Sequence, residues 1–332
     1  MYHMLHINQA GGNGMEIRKV ALIGAGAIGG YIVWGTADVL GDNLVVVAEG
    51  ERAKRLKSRG ITVNGRHYDL HVQSSQEAAD ADLLLVAVKY TGLEEAMDDI
   101  VRIAGNDSEK TVSGNNRTIV MSLLNGIDSE ELIAERMGWE PIVNAYMTIA
   151  SHRTGSDIQI FQPEGEDGLL YGDRNTAEKT EICASLERFF ATTRLHTTLV
   201  PDIQKRQWTK FIRNIAFNLP QAVIGAGLGV YHDSRHALWY SLKLEEEGRR
   251  VAAAYGMEIA PLQREQFRYT PATRYSTLQD LDAKRPTEVD MFCGVLMQKA
   301  KEKEIEVPVA ECTYHIIKAL EEKNAGRFDY QQ

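Results

Sequence analysis

Lys210, Asn214 and Asn218 fall at i, i+4 and i+8 of the stretch Gln204 to Asn218. A helix there sets one cation and two amides along one face. Trp208, Phe211, Ile215 and Ala216 give the same helix apolar surface to bury. Polar groups beside such surface lose hydration unless something polar occupies the space they face. A plain amphipathic helix with a snorkelling lysine and solvated asparagines has the same spacing. On spacing alone the two readings are even.

A second set of residues suggests what the lysine would act beside. Gly24, Gly26 and Gly29 form G-x-G-x-x-G, with Ala27 and Ile28 inside the turn. The apolar run Val20 to Ile23 precedes it, a helix at 31–40 follows, and a second strand at 44–47 completes the unit. In that context Gly24 permits the turn, Gly26 admits a pyrophosphate and Gly29 allows close helix–strand packing. The helix N-terminus then supplies amide donors to the phosphates. Glu49 ends the second strand, where an acidic residue accepts from the adenosine ribose of NAD and repels the extra phosphate of NADP. Arg52 and Lys54 stand nearby with the opposite preference, so cofactor choice stays open, tilted by Glu49 toward NAD(H). Lys89 ends the apolar strand 82–89, at the sheet edge where ligands collect. Asn125-Gly126 ends the strand 118–126; it is either a turn or a residue pair facing nicotinamide or substrate.

These residues need a scaffold. Strands at 20–23, 44–47, 82–89, 118–126 and 142–149 alternate with helices at 31–40, 91–103 and 130–137, which predicts an α/β, Rossmann-type doubly wound sheet. A hairpin with an acidic loop over 157–171, a helix over 176–190 and an edge strand at 195–200 complete that part. After Pro201 strand patterns stop. Helices are expected at about 202–219, 234–255, 258–268, 287–303 and 308–323. The expected division is therefore a leader at 1–14, disordered or lying upstream of a start at Met15, a dinucleotide-binding domain at 15–200 and a helical catalytic domain at 201–332. The glycine cluster Gly225 to Gly229 has no strand before it and reads as a loop or a tight helix approach.

Composition bounds the class. The 332 residues carry 44% hydrophobic and 25% charged side chains, as an ordinary globular chain does. A net charge of −9 argues against nucleic acid as a partner. It leaves room for a small anion, which needs only local cations. Cys183, Cys293 and Cys312 fit no metal or redox spacing, so no metal is expected and a cytoplasmic setting is. No apolar run reaches the length of a membrane span.

The last suggestive stretch is Ser276 to Asp290. Pro286 suits the first turn of a helix, and the dipole at that end explains Glu288 and Asp290 as well as catalysis does. Together, the glycine turn, Val88-Lys89, Asn125-Gly126, Trp208-x-Lys210-x-x-x-Asn214-x-x-x-Asn218, Ser276-x-Leu-Gln-Asp280, Thr287-Glu-Val-Asp290 and Val307-Pro308 resemble the ketopantoate reductase (2-dehydropantoate 2-reductase) family in order and spacing. The resemblance runs over nearly the whole chain from Met15. It implies a helical C-terminal domain like that of 6-phosphogluconate dehydrogenases, NADP(H) as cofactor and a small 2-keto acid as substrate. It further implies Lys210 as general acid and Asn214 as a positioning group. Glu288 would bind substrate or steady Lys210, Ser276 would bind the substrate carboxylate, and Lys89 and Asn125 would line the cofactor–substrate junction. Asn218 is carried as a further substrate-binding candidate.

The departures from the family pattern are Glu49 after the second strand, Asn144-Ala-Tyr-Met147 after the sixth, Asn218-Leu-Pro220, Thr273, and a loop at 227–230 without asparagine. They keep two alternatives open: an NADH-dependent D-2-hydroxyacid dehydrogenase, and a non-catalytic dinucleotide-binding regulator. A helical second domain is also expected to supply a homodimer interface.

Overall fold

The computed structural model describes residues 15–105, 118–161, 168–174, 178–264, 270–328 and 330. The expected leader at 1–14 lies outside the described residues. The chain opens with β1 (Val20–Ile23), α1 (Ala27–Leu40), β2 (Leu44–Val47), α2 (Gly50–Arg59), β3 (Ile61–Val63), β4 (Arg66–Tyr68) and β5 (His71–Gln73). It continues through β6 (Leu83–Val86), α3 (Leu93–Ala104), β7 (Ile119–Ser122), α4 (Ser129–Met137) and β8 (Ile142–Thr148). β9 (Ala150–Thr154), β10 (Asp157–Phe161), β11 (Gly168–Gly172), α5 (Glu181–Phe190) and β12 (Thr197–Leu199) follow.

The main sheet has eight strands in the order β12-β11-β8-β7-β6-β1-β2-β5. From β5 to β8 all neighbours are parallel; β11 then runs antiparallel to β8. The central strands are buried at every residue. Their side chains alternate between two cores, Leu22, Val46 and Leu85 on one face and Ile23, Val47 and Leu84 on the other. Each such side chain stabilises the fold by roughly 1.5–3 kcal/mol. β2 lies on one side of β1 and β6 on the other, so the crossovers diverge at the carboxyl end of β1. That divergence opens the crevice where a doubly wound sheet binds its ligand.

After β12 every described element is a helix: α6 (Ile203–Arg213), a π-helical turn (Asn214–Asn218), α7 (Leu219–Ile224), α8 (Val230–Asp233), α9 (Arg235–Ala254) and α10 (Ser276–Asp282). A second π-helical turn (Asp290–Gly294), α11 (Val295–Glu302) and α12 (Pro308–Asn324) close the chain. Phe211, Ile215, Leu244, Val251, Phe292 and Leu296 centre their core.

Several expected elements differ. α1 begins at Ala27, four residues earlier than expected. Gly29 and Gly30 weaken the helix signal, yet both are needed for packing. A Cβ on Gly29 would meet Gly24 O at 2.0 Å, and one on Gly30 would meet Ile158 Cδ1 at 2.4 Å. The expected hairpin over 157–171 is instead two strands of different sheets. β10 pairs with β9 and β3 in a four-stranded sheet, whereas β11 joins the main sheet. Alternation marks a strand without naming its partner. The expected helix at 258–268 is irregular over 258–264, and 265–269 lie outside the described residues. There Glu245 accepts from Leu262 N, and the Arg249 guanidinium donates to Ile259 O, which replaces helical backbone bonding. The expected helix over 176–190 is described from Glu181 onward; 175–177 lie outside the described residues. The helix expected from 287 begins only at Val289, and Pro286 lies before it.

The long helix through Lys210 is also interrupted. Pro220 has no N–H to offer the preceding turn. Ala216 O accepts instead from Ser241 Oγ at 2.6 Å, and Phe217 O from Tyr231 Oη at 2.5 Å. The wide turn at Asn214–Asn218 accommodates this change.

Candidate active site

Lys210 comes from the last turn of α6 and reaches into the carboxyl edge of the sheet. Its Nζ donates to Asn125 Oδ1 at 2.8 Å and to Met147 O at 2.6 Å. An ammonium has three protons, so one remains for a third acceptor. Burial, reinforced by the nearby Arg213 guanidinium, pushes the ammonium down to about 7, while Glu288 opposes the shift. The Tyr146 ring lies 5.5 Å from Nζ. A lysine held this way exchanges a proton near neutral pH and stabilises an adjacent oxyanion.

The seat of Lys210 is built one turn earlier. The buried Gln207 donates to Glu130 Oε1 at 2.6 Å and to Ala145 O at 3.0 Å, and it accepts from Asn144 Nδ2 at 3.0 Å. Ala145 and Met147 are alternate residues of β8, so their carbonyls face the same way. Gln207 and Lys210, one helical turn apart, thus lock α6 onto two successive same-side carbonyls. Glu130 also accepts from Ser129 Oγ at 2.9 Å, and burial holds its carboxyl above the usual range. A small cavity lined by Ile127, Glu130, Asn144, Gln207 and Trp208 adjoins this network.

The other expected site residues divide into those the structure brings to this edge and those it does not. Asn125 holds Lys210. Gly126, next to it, has φ +103°, and a Cβ there would meet the Met291 side chain at 3.1 Å. Glu288 is half-buried; its Oε1 accepts from Tyr90 N at 3.5 Å, and it is close enough to act electrostatically on Lys210. Lys89 is exposed and its Nζ lies 3.4 Å from Asp280 Oδ2, whose other oxygen accepts from Arg285 Nε at 2.8 Å. Asn214 is half-buried, and its amide makes no hydrogen bond among the described residues. Ser276 is exposed, and its Oγ accepts from Asn218 Nδ2 at 3.0 Å, leaving the hydroxyl proton to donate.

Asn218 is bonded within the protein, beside its expected role. It is 2% exposed. Its Oδ1 accepts from Thr277 N at 3.1 Å while its Nδ2 holds Ser276. Its Oδ1 and one of its two amide protons are committed to the start of α10, so Asn218 seats Ser276. Residue spacing could not show this, because the π-helical turn from Asn214 to Asn218 rotates Asn218 away from the regular i+4 position.

The glycine turn suits a pyrophosphate. Gly24 has φ +104°, and a Cβ there would strike Ala87 O at 2.5 Å. Gly26 begins α1 with no side-chain cap, so the first-turn amides at Ala27 and Ile28 have no side chain covering them. Glu49 is exposed at the start of α2, two residues beyond β2, which pairs in register with β1. Lys54 is paired with Glu51 at 2.7 Å. Among the described residues no group of three or more His, Cys, Asp or Glu could hold a metal ion, and no helix is long and apolar enough to cross a membrane.

Three residues that matter here were not assigned a role from the sequence. Tyr90 and Gln207 each adjoin or lie within a stretch singled out for other residues. Asp280 stood inside the Ser276 motif, where its ion pairs with Lys89 and Arg285 mark it in retrospect.

The parallel sheet with its glycine turn, followed by a helical part that delivers a lysine to the sheet edge, defines a two-part NAD(P)-dependent oxidoreductase. Residues 20–172 match the model of ketopantoate reductase PanE/ApbA, and 202–321 match that of its C-terminal part. The chain belongs to the ketopantoate reductase family. It is 25% identical over 310 residues to 2-dehydropantoate 2-reductase of Archaeoglobus fulgidus, covering 92% of this chain and 99% of that one. Its fold is shared by dimeric ketopantoate reductase from Staphylococcus aureus, at 18% identity and TM-score 0.70 over 92% of this chain and 99% of that chain. D-mandelate dehydrogenase with NADH and anilino(oxo)acetate shares it at 20% identity and TM-score 0.75, over 92% and 99%.

Proposed function

We propose that this protein reduces a 2-keto acid, 2-dehydropantoate (ketopantoate) to pantoate, with NAD(P)H as hydride donor and Lys210 as the general acid. The observation that carries the reading is the Lys210 ammonium. Two of its protons are committed to Asn125 and Met147, and its pKa is lowered to about 7. When bound, the nicotinamide supplies the hydride. Lys210 gives its third proton to the ketone oxygen, where negative charge would otherwise develop. Asn125 fixes the direction of that proton, and Glu288 supports the protonated state by its charge. The free hydroxyl proton of Ser276, seated by Asn218, donates to the substrate carboxylate, and Asn214 supplies an amide to the same space. Gly24, Gly26 and Gly29, with the amides at Ala27 and Ile28, hold the pyrophosphate. Lys89 and Asn125 lie at the junction of cofactor and substrate.

Two parts at 15–200 and 201–332, with the site between them, fit the separate cores. The dimeric relative, with exposed Trp239 and Leu242 on α9, supports a homodimer. The buried, unpaired Cys183 and Cys293 support a cytoplasmic setting.

The second reading, an NADH-dependent D-2-hydroxyacid dehydrogenase, is favoured by Glu49 at the end of β2 and by the likeness to D-mandelate dehydrogenase. Reduction of ketopantoate and a panel of branched and aromatic 2-keto acids, each with NADH and NADPH, separates the two. Turnover of ketopantoate supports the first reading. Turnover confined to other keto acids with NADH replaces it with the second.

A further inference from the structure

The turn that follows β6 joins three pieces of the site through one residue. Tyr90 N donates to Glu288 Oε1 at 3.5 Å, and Tyr90 Oη donates to Asp128 Oδ2 at 2.6 Å. Asp128 stands at the start of α4, three residues past Asn125. An aspartate in that position ordinarily caps the helix. Here it makes no side-chain cap, and its carboxylate turns to Tyr90 across 38 positions of sequence. Asp128 is 8% exposed and its Oδ1 is buried without a partner, so Tyr90 is what satisfies the carboxylate. The Tyr90 ring packs against both the sheet core and the helical core. Its hydroxyl is therefore anchored on the sheet side while its amide touches Glu288, the carboxylate of the helical side whose charge reaches Lys210.

We propose that Tyr90 and Asp128 are a positioning pair for Glu288, and through Glu288 for the Lys210 ammonium. The proposal rests on the reading of Lys210 as proton donor. Losing the Tyr90 hydroxyl frees the turn, lets Glu288 move from Lys210 and leaves a buried carboxylate without its donor. The ammonium would then keep its burial and the repulsion of Arg213 while losing the carboxylate that opposes them. The groups facing Lys210 are Glu288, Arg213 on its own helix, Asn125 and the Tyr146 ring. Those facing the pair are Lys299, Glu131 and Asp290. Burial raises both Tyr90 and Asp128 above their ordinary ranges.

The test is the pH dependence of kcat/KM for keto-acid reduction by the full chain. The alkaline limb reports the loss of the Lys210 proton. Glu288→Gln should move that limb downward. Tyr90→Phe and Asp128→Ala should move it the same way by about half a pH unit, a threefold change in the proton equilibrium. Tyr90→Phe should add no further shift in the Glu288→Gln background. Asp128→Asn keeps an acceptor for the phenol and should leave the limb where the wild type has it. Tyr240→Phe removes a hydroxyl bonded to Thr313 at 2.5 Å, within the helical part, and should also leave it in place. A limb that Glu288→Gln moves and Tyr90→Phe does not would overturn the pair while leaving Lys210 as donor. A wild-type profile with no such limb would remove the reading of Lys210, and the pair with it.

Discussion

Lys210 Nζ donates to the backbone carbonyl of Met147 at 2.6 Å, so a side chain of the helical part is fastened to the sixth parallel strand of the sheet. The same ammonium holds Asn125, at the end of the neighbouring strand. A proton donor fixed at two points presents its third proton in one direction, which is the positional precision that proton transfer requires.

Burying that ammonium should weaken the fold. Lys210 falls from its ordinary 10.5 to about 7 in the folded chain. Below pH 7 both states are protonated and the full penalty of burial is present. Between 7 and 10.5 the unfolded chain binds more protons, so this penalty fades as pH rises. Lys210→Met, which keeps the length and removes the charge, should therefore raise the denaturant midpoint more at pH 6 than at pH 9. A larger gain at pH 9 would contradict the assigned direction.

Glu49 should set cofactor choice. On the proposed reading its carboxylate would meet a 2′-phosphate. Glu49→Arg should raise the NADPH/NADH ratio of kcat/KM by about tenfold, the change that about 1.4 kcal/mol of altered charge interaction gives. Steady-state rates with both cofactors measure it, and an unchanged ratio removes Glu49 from the account.

Ser276 and Asn218 should act in series. On the proposed reading Ser276→Ala would remove a donor to the substrate carboxylate, a hydrogen bond of about 1.5–3 kcal/mol. KM for the keto acid should rise by about tenfold or more. Asn218→Ala should produce a similar rise by freeing Ser276, and the double variant should be no worse than either single one. Additive effects in that cycle would mean that Asn218 does not work through Ser276.

The parallel sheet was legible because each of its central strands is an unbroken apolar run bounded by turns, as in Val20–Ile23 and Leu83–Val86. The short strands β3, β4 and β5, with three residues each, carried no such signal. Nor could local pattern show that β10 and β11 part company, because pairing is decided by what packs around a strand. Lys210, Asn125 and Glu288 were legible as residues of the right type at strand and helix ends. The seat of Lys210 was not. Gln207 and Met147 act through an amide and a backbone carbonyl, and a carbonyl leaves no mark in the sequence. The role of Asn218 was hidden by the π-helical turn, which follows from the missing N–H of Pro220 two residues later.

The most direct test is the reduction of ketopantoate by the wild type and by Lys210→Ala, with NADPH and NADH in parallel. The account predicts turnover by the wild type and a loss of about 10²–10⁴-fold in kcat for the variant, the usual contribution of a positioned general acid. Cofactor binding should be nearly unchanged. A variant as active as the wild type would show that the proton comes from elsewhere and that Lys210 serves only to join the two parts.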